Sequence, residues 1–210
     1  MCQSHYTIKN DGIYEQTIKK SRFIAHMRRI QDEDDAKAFI AEIKTKHLNA
    51  THNCSAYVLG MGNETQKAND DGEPSGTAGV PMLNVLVKQE LKNTAVVVTR
   101  YFGGVKLGAG GLIRAYGNSV TEAINDIGTV HRQPMQKYKL TIAYALLGKI
   151  ENELRESPYK LVSKDYGTHV DIHVAVNIND KESFEKWIVN TSNNRVTISS
   201  SGTSYMEKDV

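Results

Sequence analysis

The chain has 210 residues, enough for one large domain or two small ones with a buried core. Hydrophobic residues make up 40% of it and charged residues 24%, and the formal net charge is +2, so bulk charge does not by itself indicate a nucleic-acid-binding protein. Two cysteines, Cys2 and Cys54, do not make a disulfide framework, and neither a secretory signal nor an apolar run of the roughly 20 residues that span a membrane is found. We therefore expect a cytoplasmic protein without membrane contact.

The first part of the chain predicts two strands and a helix. Residues 6–8 form a weak strand pattern and residues 23–27 a better one. Residues 32–47 predict a helix that Asp32 can cap at its N-terminus. Its buried face consists of apolar residues at three- and four-residue spacing: Ala36, Phe39, Ile40 and Ile43.

A small cluster of cations lies next to the second of these strands. Lys19, Lys20 and Arg22 occupy three of four consecutive positions. Such a cluster is typical of a solvated sheet edge. The alternative is an edge that contacts a polyanion.

An acidic segment follows the next predicted strand, residues 54–59. Residues 60–79 are polar and rich in turn residues, and we expect a long loop without regular structure. Within it, Asp70, Asp71 and Glu73 place three carboxylates in four positions. They are candidate catalytic residues, because they could bind Mg²⁺ or supply a general base. The alternative is a solvated acidic turn at the start of a helix.

A glycine-rich loop connects the next strand to a long helix. A helix with Pro81 in its first turn and Met82, Val85, Leu86 and Leu91 on its apolar face leads to a buried strand over residues 95–98. The loop then contains Gly103, Gly104, Gly108, Gly110 and Gly111. Residues 108–127 predict the long helix from an apolar face of Ile113, Tyr116, Val120, Ala123, Ile124 and Ile127.

The glycine-rich loop has the features of an anion site. The first turn of the following helix presents free N–H groups and the positive end of the helix dipole. Arg100, Lys106 and Arg114 add positive charge, and a phosphate is the common ligand of such an arrangement. The alternative is that the glycines only permit close packing. A nucleotide triphosphatase P-loop is not indicated, because Ala109 and Gly110 occupy the positions of its Lys and Ser/Thr.

A histidine and a cysteine share one face of the strand that contains residues 54–59. His52 and Cys54 could suggest Cys–His nucleophilic catalysis. We favour the simpler interpretation that Cys54 is a small core residue, because alternate strand residues rarely point at one another.

The remainder of the chain predicts a second domain. Residues 131–134 have the composition of a linker, so we place the boundary between domains 1–134 and 135–210. The predicted elements after it are strand 138–144, helix 147–154, strands 159–166 and 169–176, helix 184–188 and strand 195–200. This β-α-β-β-α-β order is the ferredoxin-like plan. Tyr138 and Tyr144 are expected on its core face, which leaves no aromatic platform for stacking RNA bases.

Four segments of the chain together resemble a known family. Residues 20–25, 52–57, 70–79 and 99–111 are similar to the IMPACT family, in particular to its bacterial YigZ-like branch. The most specific segment is Arg-Tyr-Phe-Gly-Gly-x-Lys-Leu-Gly, residues 100–108. The resemblance implies an α+β protein whose N-terminal domain has the two-layer β/α fold of a ribosomal protein and ribonuclease PH. It also implies a ferredoxin-like C-terminal domain similar to the last domain of elongation factor G.

The resemblance and the cations favour a binding protein over an enzyme. The eukaryotic relatives regulate translation initiation, and both folds recur in translation factors and RNA-processing proteins. With the cations around the glycine-rich loop, this leads us to expect a partner such as RNA, the ribosome or a translation-linked protein. The expected anion or nucleic-acid contacts are Lys20, Arg22, Arg100, Gly103, Gly104, Lys106, Gly108, Gly110, Gly111 and Arg114. We expect no metal or other cofactor in such a protein.

Two alternatives remain open. The first is an enzyme that acts on a phosphorylated small molecule or nucleotide, with Mg²⁺ or a base at the acidic segment. The second is a scaffold that binds another protein through the sheet face of the C-terminal domain.

Overall fold

The computed structural model describes residues 3–210, so Cys2 lies outside the described residues. The chain divides into two compact units. One contains residues 5–132 and 208–210, and the other contains residues 133–207 with residues 3 and 4. Both contain helices and sheet, which confirms the prediction of a two-domain α+β protein. Among the helices of residues 3–210, none has the length and apolar character needed to cross a bilayer.

The N-terminal domain is built on an antiparallel sheet. Its strands are β1 (His5–Ile8), β2 (Gly12–Ile18), β3 (Ser21–Arg29), β4 (His52–Leu59), β5 (Thr65–Asn69) and β6 (Thr94–Tyr101). Five of them form the order β2-β3-β6-β4-β5, so that the apolar β6 lies at the centre. β1 pairs instead with the first residues of β7 (Thr129–Ile142).

Helices cover both faces of this sheet. They are α1 (Glu33–Lys46), α2 (Gly79–Lys88) and α3 (Ala109–Ile127). α1 packs on one face against Tyr57, Ala95 and Val97, whereas α2 and α3 pack on the other face. The predicted cap of α1 is confirmed, since the Asp32 carboxylate accepts a hydrogen bond from the Asp35 amide.

α3 is the long helix predicted after the glycine-rich loop. Tyr116 and Val120 are fully buried, as its periodicity predicts. Ile113 was assigned to the buried face, but it is 44% exposed, and Leu112 is buried in its place. The assignment was wrong at this end because Leu112 and Ile113 are both apolar, and only packing decides which of two adjacent residues faces the sheet.

The predicted loop over residues 60–79 contains a strand, and the prediction was wrong there. β5 pairs antiparallel with β4, with Ser55 opposite Asn69 and Leu59 opposite Thr65. β5 lies at the sheet edge, where it carries polar residues on both faces and is mostly exposed. Such a strand has no apolar alternation, because its pairing depends on backbone hydrogen bonds rather than side-chain burial.

The C-terminal domain has the predicted βαββαβ order. After β7 follow α4 (Tyr144–Arg155), β8 (Lys160–Tyr166), β9 (Val170–Asn177), α5 (Lys181–Thr191) and β10 (Thr197–Asp209). The sheet runs β8-β9-β7, with β10 on the other side of β7. Leu140, Ile150, Ile172, Phe184 and Ile188 lie at the centre of its core.

Two expectations at the start of the C-terminal domain were wrong. Residues 131–134 are not a linker, because they continue β7. Pro134 is tolerated there since it lies between the segment that pairs with β1 and the segment that pairs with β9 from Met135 onward. Tyr144 begins α4 rather than ending the strand, is 52% exposed, and donates its hydroxyl to the Gly167 carbonyl.

The glycine-rich loop lies directly against the turn between β2 and β3. A Cβ atom at Gly103 would lie 1.9 Å from the Lys20 carbonyl oxygen and 2.6 Å from the Ser21 nitrogen. The Gly103 amide donates to the Ser21 hydroxyl at 3.2 Å. A side chain at Gly103 is therefore excluded by backbone that cannot rotate away.

We expect Gly103→Ala to destabilise the protein by about 1–3 kcal/mol or more, because the added methyl forces the loop and the turn apart. The matched control is Gly110→Ala, where a Cβ meets nothing within 4 Å. This control should be neutral or slightly stabilising because alanine is the better helix former. Urea unfolding of both variants measures the difference. Equal stability of the two would contradict the close approach.

Candidate functional site

A cleft of about 390 Å³ separates the acidic segment from the glycine-rich loop. Its lining comes from β4, the acidic segment, the end of β6 and the first turns of α3: Thr51, His52, Glu73, Pro74, Arg100, Phe102, Lys106, Leu107, Gly108, Ala109 and Leu112. The two loops that the sequence analysis singled out separately therefore line the same cleft. Its volume is in the range of small-molecule sites.

A buried ion pair forms one wall of the cleft. Arg100 Nη1 donates to Glu73 Oε1 at 2.7 Å, and the two side chains are only 6% and 3% exposed. The Tyr116 hydroxyl donates to the same oxygen, also at 2.7 Å. Because both charges are desolvated, each depends on the other to remain inside the protein.

The Arg100 guanidinium is enclosed by aromatic rings. Its carbon lies 5.4 Å from the ring centres of Phe23 and of Phe102, which stabilises the cation by cation–π attraction. Nη2 lies 3.4 Å from the Ser21 hydroxyl, and Nε is buried without a hydrogen-bond partner among residues 3–210. Arg100, a predicted phosphate contact, is thus held by the protein itself.

A second wall of the cleft carries hydrogen-bond donors and positive charge. Gly108 is the N-cap of α3 at φ +73°, and no side chain caps the helix there. The first-turn amides, including those of Ala109 and Gly110, have no acceptor within the helix. The exposed Lys106 lines the same cleft. Amides, helix dipole and ammonium group together make this wall electropositive.

His52, considered from the sequence only as a partner of Cys54, lines the cleft. Its Nδ1 lies 2.8 Å from the Asp71 carbonyl oxygen, which can only accept a hydrogen bond. Nδ1 therefore carries the proton, and Nε2 of the neutral ring is an acceptor. Nε2 lies 3.9 Å from Glu73 Oε2. The sequence showed only that His52 shares a strand face with Cys54, and the Asp71 carbonyl that orients it comes from another loop.

Cys54 is a core residue. Burial raises the pKa of its thiol to about 12, and the sulfur donates to the Asp70 carbonyl at 3.0 Å. A thiol with so high a pKa carries almost no thiolate at neutral pH, which argues against nucleophilic catalysis by Cys54.

The first acidic candidate, Asp70, organises the start of α2. Its carboxylate accepts hydrogen bonds from the amides of Gly76, Ala78 and Gly79 at 2.8–3.0 Å. Burial raises the pKa of Asp70, but these three backbone hydrogen bonds outweigh that effect and hold the pKa below its ordinary value. Asp70 thus satisfies amides that would otherwise lack a partner.

The other two acids differ in where they point. Asp71 accepts from the Asn53 amide and from Lys44 Nζ, each at 2.6 Å, so it ties the acidic segment to β4 and α1. Of the three acids, Glu73 alone lines the cleft. Within residues 3–210, no group of three or more His, Cys, Asp or Glu side chains is arranged to hold a metal ion.

The remaining predicted cations, Lys20, Arg22 and Arg114, do not line the cleft. Arg22 is paired with Glu15 at 2.6 Å. Lys20 lies in the β2–β3 turn with φ +69° and is exposed. Arg114 lines a second hollow of about 240 Å³ together with Lys19. The predicted glycines that do not line the cleft are Gly103 and Gly104, which shape the loop, Gly111, which lines the second hollow, and Gly110 in the first turn of α3.

Comparison with known proteins agrees with the motifs that meet at the cleft. Residues 19–124, half of the chain, match the model of the Impact N-terminal domain. The chain belongs to the IMPACT family. Residues 140–195 match a second model, described as Domain of unknown function (DUF1949). The family resemblance inferred from the sequence is confirmed.

Relatives extend this IMPACT similarity over the whole chain. IMPACT family member YvyE of Bacillus subtilis is 52% identical over 210 residues, which cover 100% of this chain and 97% of that protein. IMPACT family member YigZ of Escherichia coli is 39% identical and covers 77% of this chain and 80% of that protein. A crystal structure of a hypothetical protein is 32% identical, covers 96% of this chain and 99% of that chain, and has a TM-score of 0.62.

We expect Arg100→Met to destabilise the protein by about 3–5 kcal/mol, because it leaves the Glu73 carboxylate buried without its partner. The double variant Arg100→Met/Glu73→Gln should regain part of that loss, since it removes the unpaired charge. Urea unfolding measures both. Arg22→Met, which removes an exposed ion pair, is the control and should have a much smaller effect. An equal effect of the two single variants would contradict the importance of the buried pair.

We expect Asp70→Ala to lose stability in a pH-dependent way. Because the pKa of Asp70 is lowered by folding, its carboxylate stabilises the folded state above the unfolded-state pKa of about 3.9. This contribution is lost as the pH falls through the lower folded-state pKa. The free-energy difference between wild type and variant should therefore be full above about pH 5 and shrink below about pH 4. Asp34→Ala, which removes a 95% exposed carboxylate, is the control and should show a smaller difference at pH 7.

Proposed function

We propose that this IMPACT-family protein is a cytoplasmic, translation-linked binding protein that holds the phosphate backbone of single-stranded RNA in the cleft. A phosphate would lie at the electropositive wall, on the first-turn amides of α3 and the Lys106 ammonium. The observation that carries the proposal is that these donors line one cleft of about 390 Å³. Phosphate contacts of this kind supply most of the affinity of sequence-independent RNA binding.

A second group of cations supports contact with more than one phosphate. The hollow that contains Lys19 and Arg114 shares Leu107 with the cleft, so the two openings are neighbours on one surface. Lys106, Lys19 and Arg114 are all exposed. A chain of phosphates, rather than a single anion, matches such a row of cations.

The family also supports a role linked to translation. The resemblance noted in the sequence implies that eukaryotic members regulate translation initiation. An RNA-binding site on the shared N-terminal domain is consistent with that role.

Binding is favoured over catalysis by the way the acids are engaged. Glu73 Oε1 already accepts two hydrogen bonds, from Arg100 and Tyr116. Asp70 and Asp71, the other candidate bases, are held by backbone amides and do not line the cleft. Among the three acids, only Glu73 could serve such an enzyme, and it would do so at the expense of the buried ion pair.

We expect the protein to bind a single-stranded RNA oligonucleotide with an affinity that falls steeply between about 50 and 200 mM salt. Lys106→Ala should weaken binding and reduce the slope of log K against log salt by about 0.7, the value for one phosphate contact on a single strand. Fluorescence anisotropy of a labelled oligonucleotide measures both effects.

The matched control is Lys37→Ala, which removes one exposed lysine from α1, on the opposite face of the sheet. It should leave affinity and slope close to those of the wild type. Salt-independent binding, or the same slope for both variants, would contradict the proposal. No RNA binding at any salt concentration would refute it.

A further inference from the structure

We propose that His52 and Glu73 form a pair of hydrogen-bond acceptors that recognises a ribose 2′-hydroxyl, so that the cleft selects RNA over DNA. This inference rests on the proposed function, because it concerns the same cleft. The 2′-hydroxyl is the part of the nucleic acid by which the protein would distinguish RNA from DNA.

The first acceptor is His52 Nε2. The Asp71 carbonyl fixes the proton on Nδ1, which leaves the lone pair of the neutral ring on Nε2. Among the described residues, no donor lies within hydrogen-bond distance of Nε2. His52 lines the cleft, so a bound molecule can supply the donor.

The second acceptor is Glu73 Oε2. Arg100 and Tyr116 both donate to Oε1, so Oε2 is the carboxylate oxygen left for a ligand in the cleft. The Glu73 side chain is only 3% exposed, yet it lines the cleft. A hydrogen bond from a ligand donor to this oxygen would be charge-assisted and therefore stronger than one between neutral groups.

The two acceptors lie 3.9 Å apart, and neither can donate to the other while His52 is neutral. A hydroxyl placed between them can donate to one of them. The positive charge of Arg100 beside Glu73 disfavours an ammonium or guanidinium donor from the ligand. A second phosphate at this position is disfavoured because its negative charge would be repelled by the Glu73 carboxylate. The geometry therefore favours a neutral hydroxyl.

The other walls of the cleft match the remaining parts of one nucleotide. The first turn of α3 and Lys106 suit the phosphate. Phe102 lines the cleft and is 46% exposed, so its ring can stack on a base. A hydroxyl close to both a base and a phosphate is the 2′-hydroxyl of RNA, which DNA lacks.

The test compares three labelled oligonucleotides of one sequence: RNA, DNA and 2′-O-methyl RNA. Fluorescence anisotropy at one fixed salt concentration gives the three affinities. Wild type should bind RNA about tenfold or more tightly than the other two, because both leave the acceptor pair without its donor. The 2′-O-methyl RNA keeps the ribonucleotide oxygen but cannot donate a hydrogen bond, so it separates donor recognition from helix shape.

His52→Phe keeps a ring of similar size and removes the acceptor. It should lower RNA affinity more than DNA affinity, so that the ratio of the two falls towards 1. The control is His169→Phe, at an exposed histidine of the C-terminal domain, which should retain the wild-type preference. Circular dichroism confirms that each variant is folded.

Each outcome separates the inference from the proposed function. If wild type binds all three oligonucleotides equally, the 2′-hydroxyl inference is wrong and the proposed function stands. If none of them binds, the proposed function is wrong as well. If wild type prefers RNA and folded His52→Phe keeps the full preference, another part of the protein reads the hydroxyl and the inference is overturned.

Discussion

The buried ion pair between Arg100 and Glu73 is the interaction on which the site depends. It links the end of the central strand β6 to the acidic segment before α2, and Tyr116 ties the same carboxylate to α3. Three separate elements are thereby fixed around one desolvated carboxylate. Removing either charge leaves the other buried, so the pair constrains the cleft wall as a unit.

The glycine-rich loop satisfies two demands at once. Gly103 permits the loop to lie against the β2–β3 turn, where any side chain would collide with backbone. Gly108 adopts a positive φ and leaves the N-terminus of α3 without a side-chain cap. Gly103 thus serves close packing, whereas the uncapped helix N-terminus at Gly108 supports the proposed anion site.

The cleft has two walls of different electrostatic character. The charge of Arg100 is balanced internally by Glu73, so the electropositive wall depends on Lys106 and on backbone amides instead. The other wall presents acceptors, His52 Nε2 and Glu73 Oε2. The proposed ligand would place an anionic group at one wall and a hydrogen-bond donor at the other.

Local periodicity determined much of the fold. α1 and α3 and the βαββαβ order of the C-terminal domain follow from apolar spacing, because these elements bury one face against a sheet. The polar edge strand β5 and the helical Tyr144 did not follow from it. Edge pairing is decided by a neighbouring strand, and the end of β7 by the turn that leads into α4.

For the site, the sequence identified the family, the acidic segment and the glycine-rich loop, since each is a contiguous run of unusual residues. Only the tertiary structure decided that they meet, that Arg100 contacts Glu73 at a sequence separation of 27, and that Asp71 orients His52. A side chain's available charge or lone pair depends on which partner folding brings within hydrogen-bond distance. That partner comes from another strand or loop, so no local pattern records it.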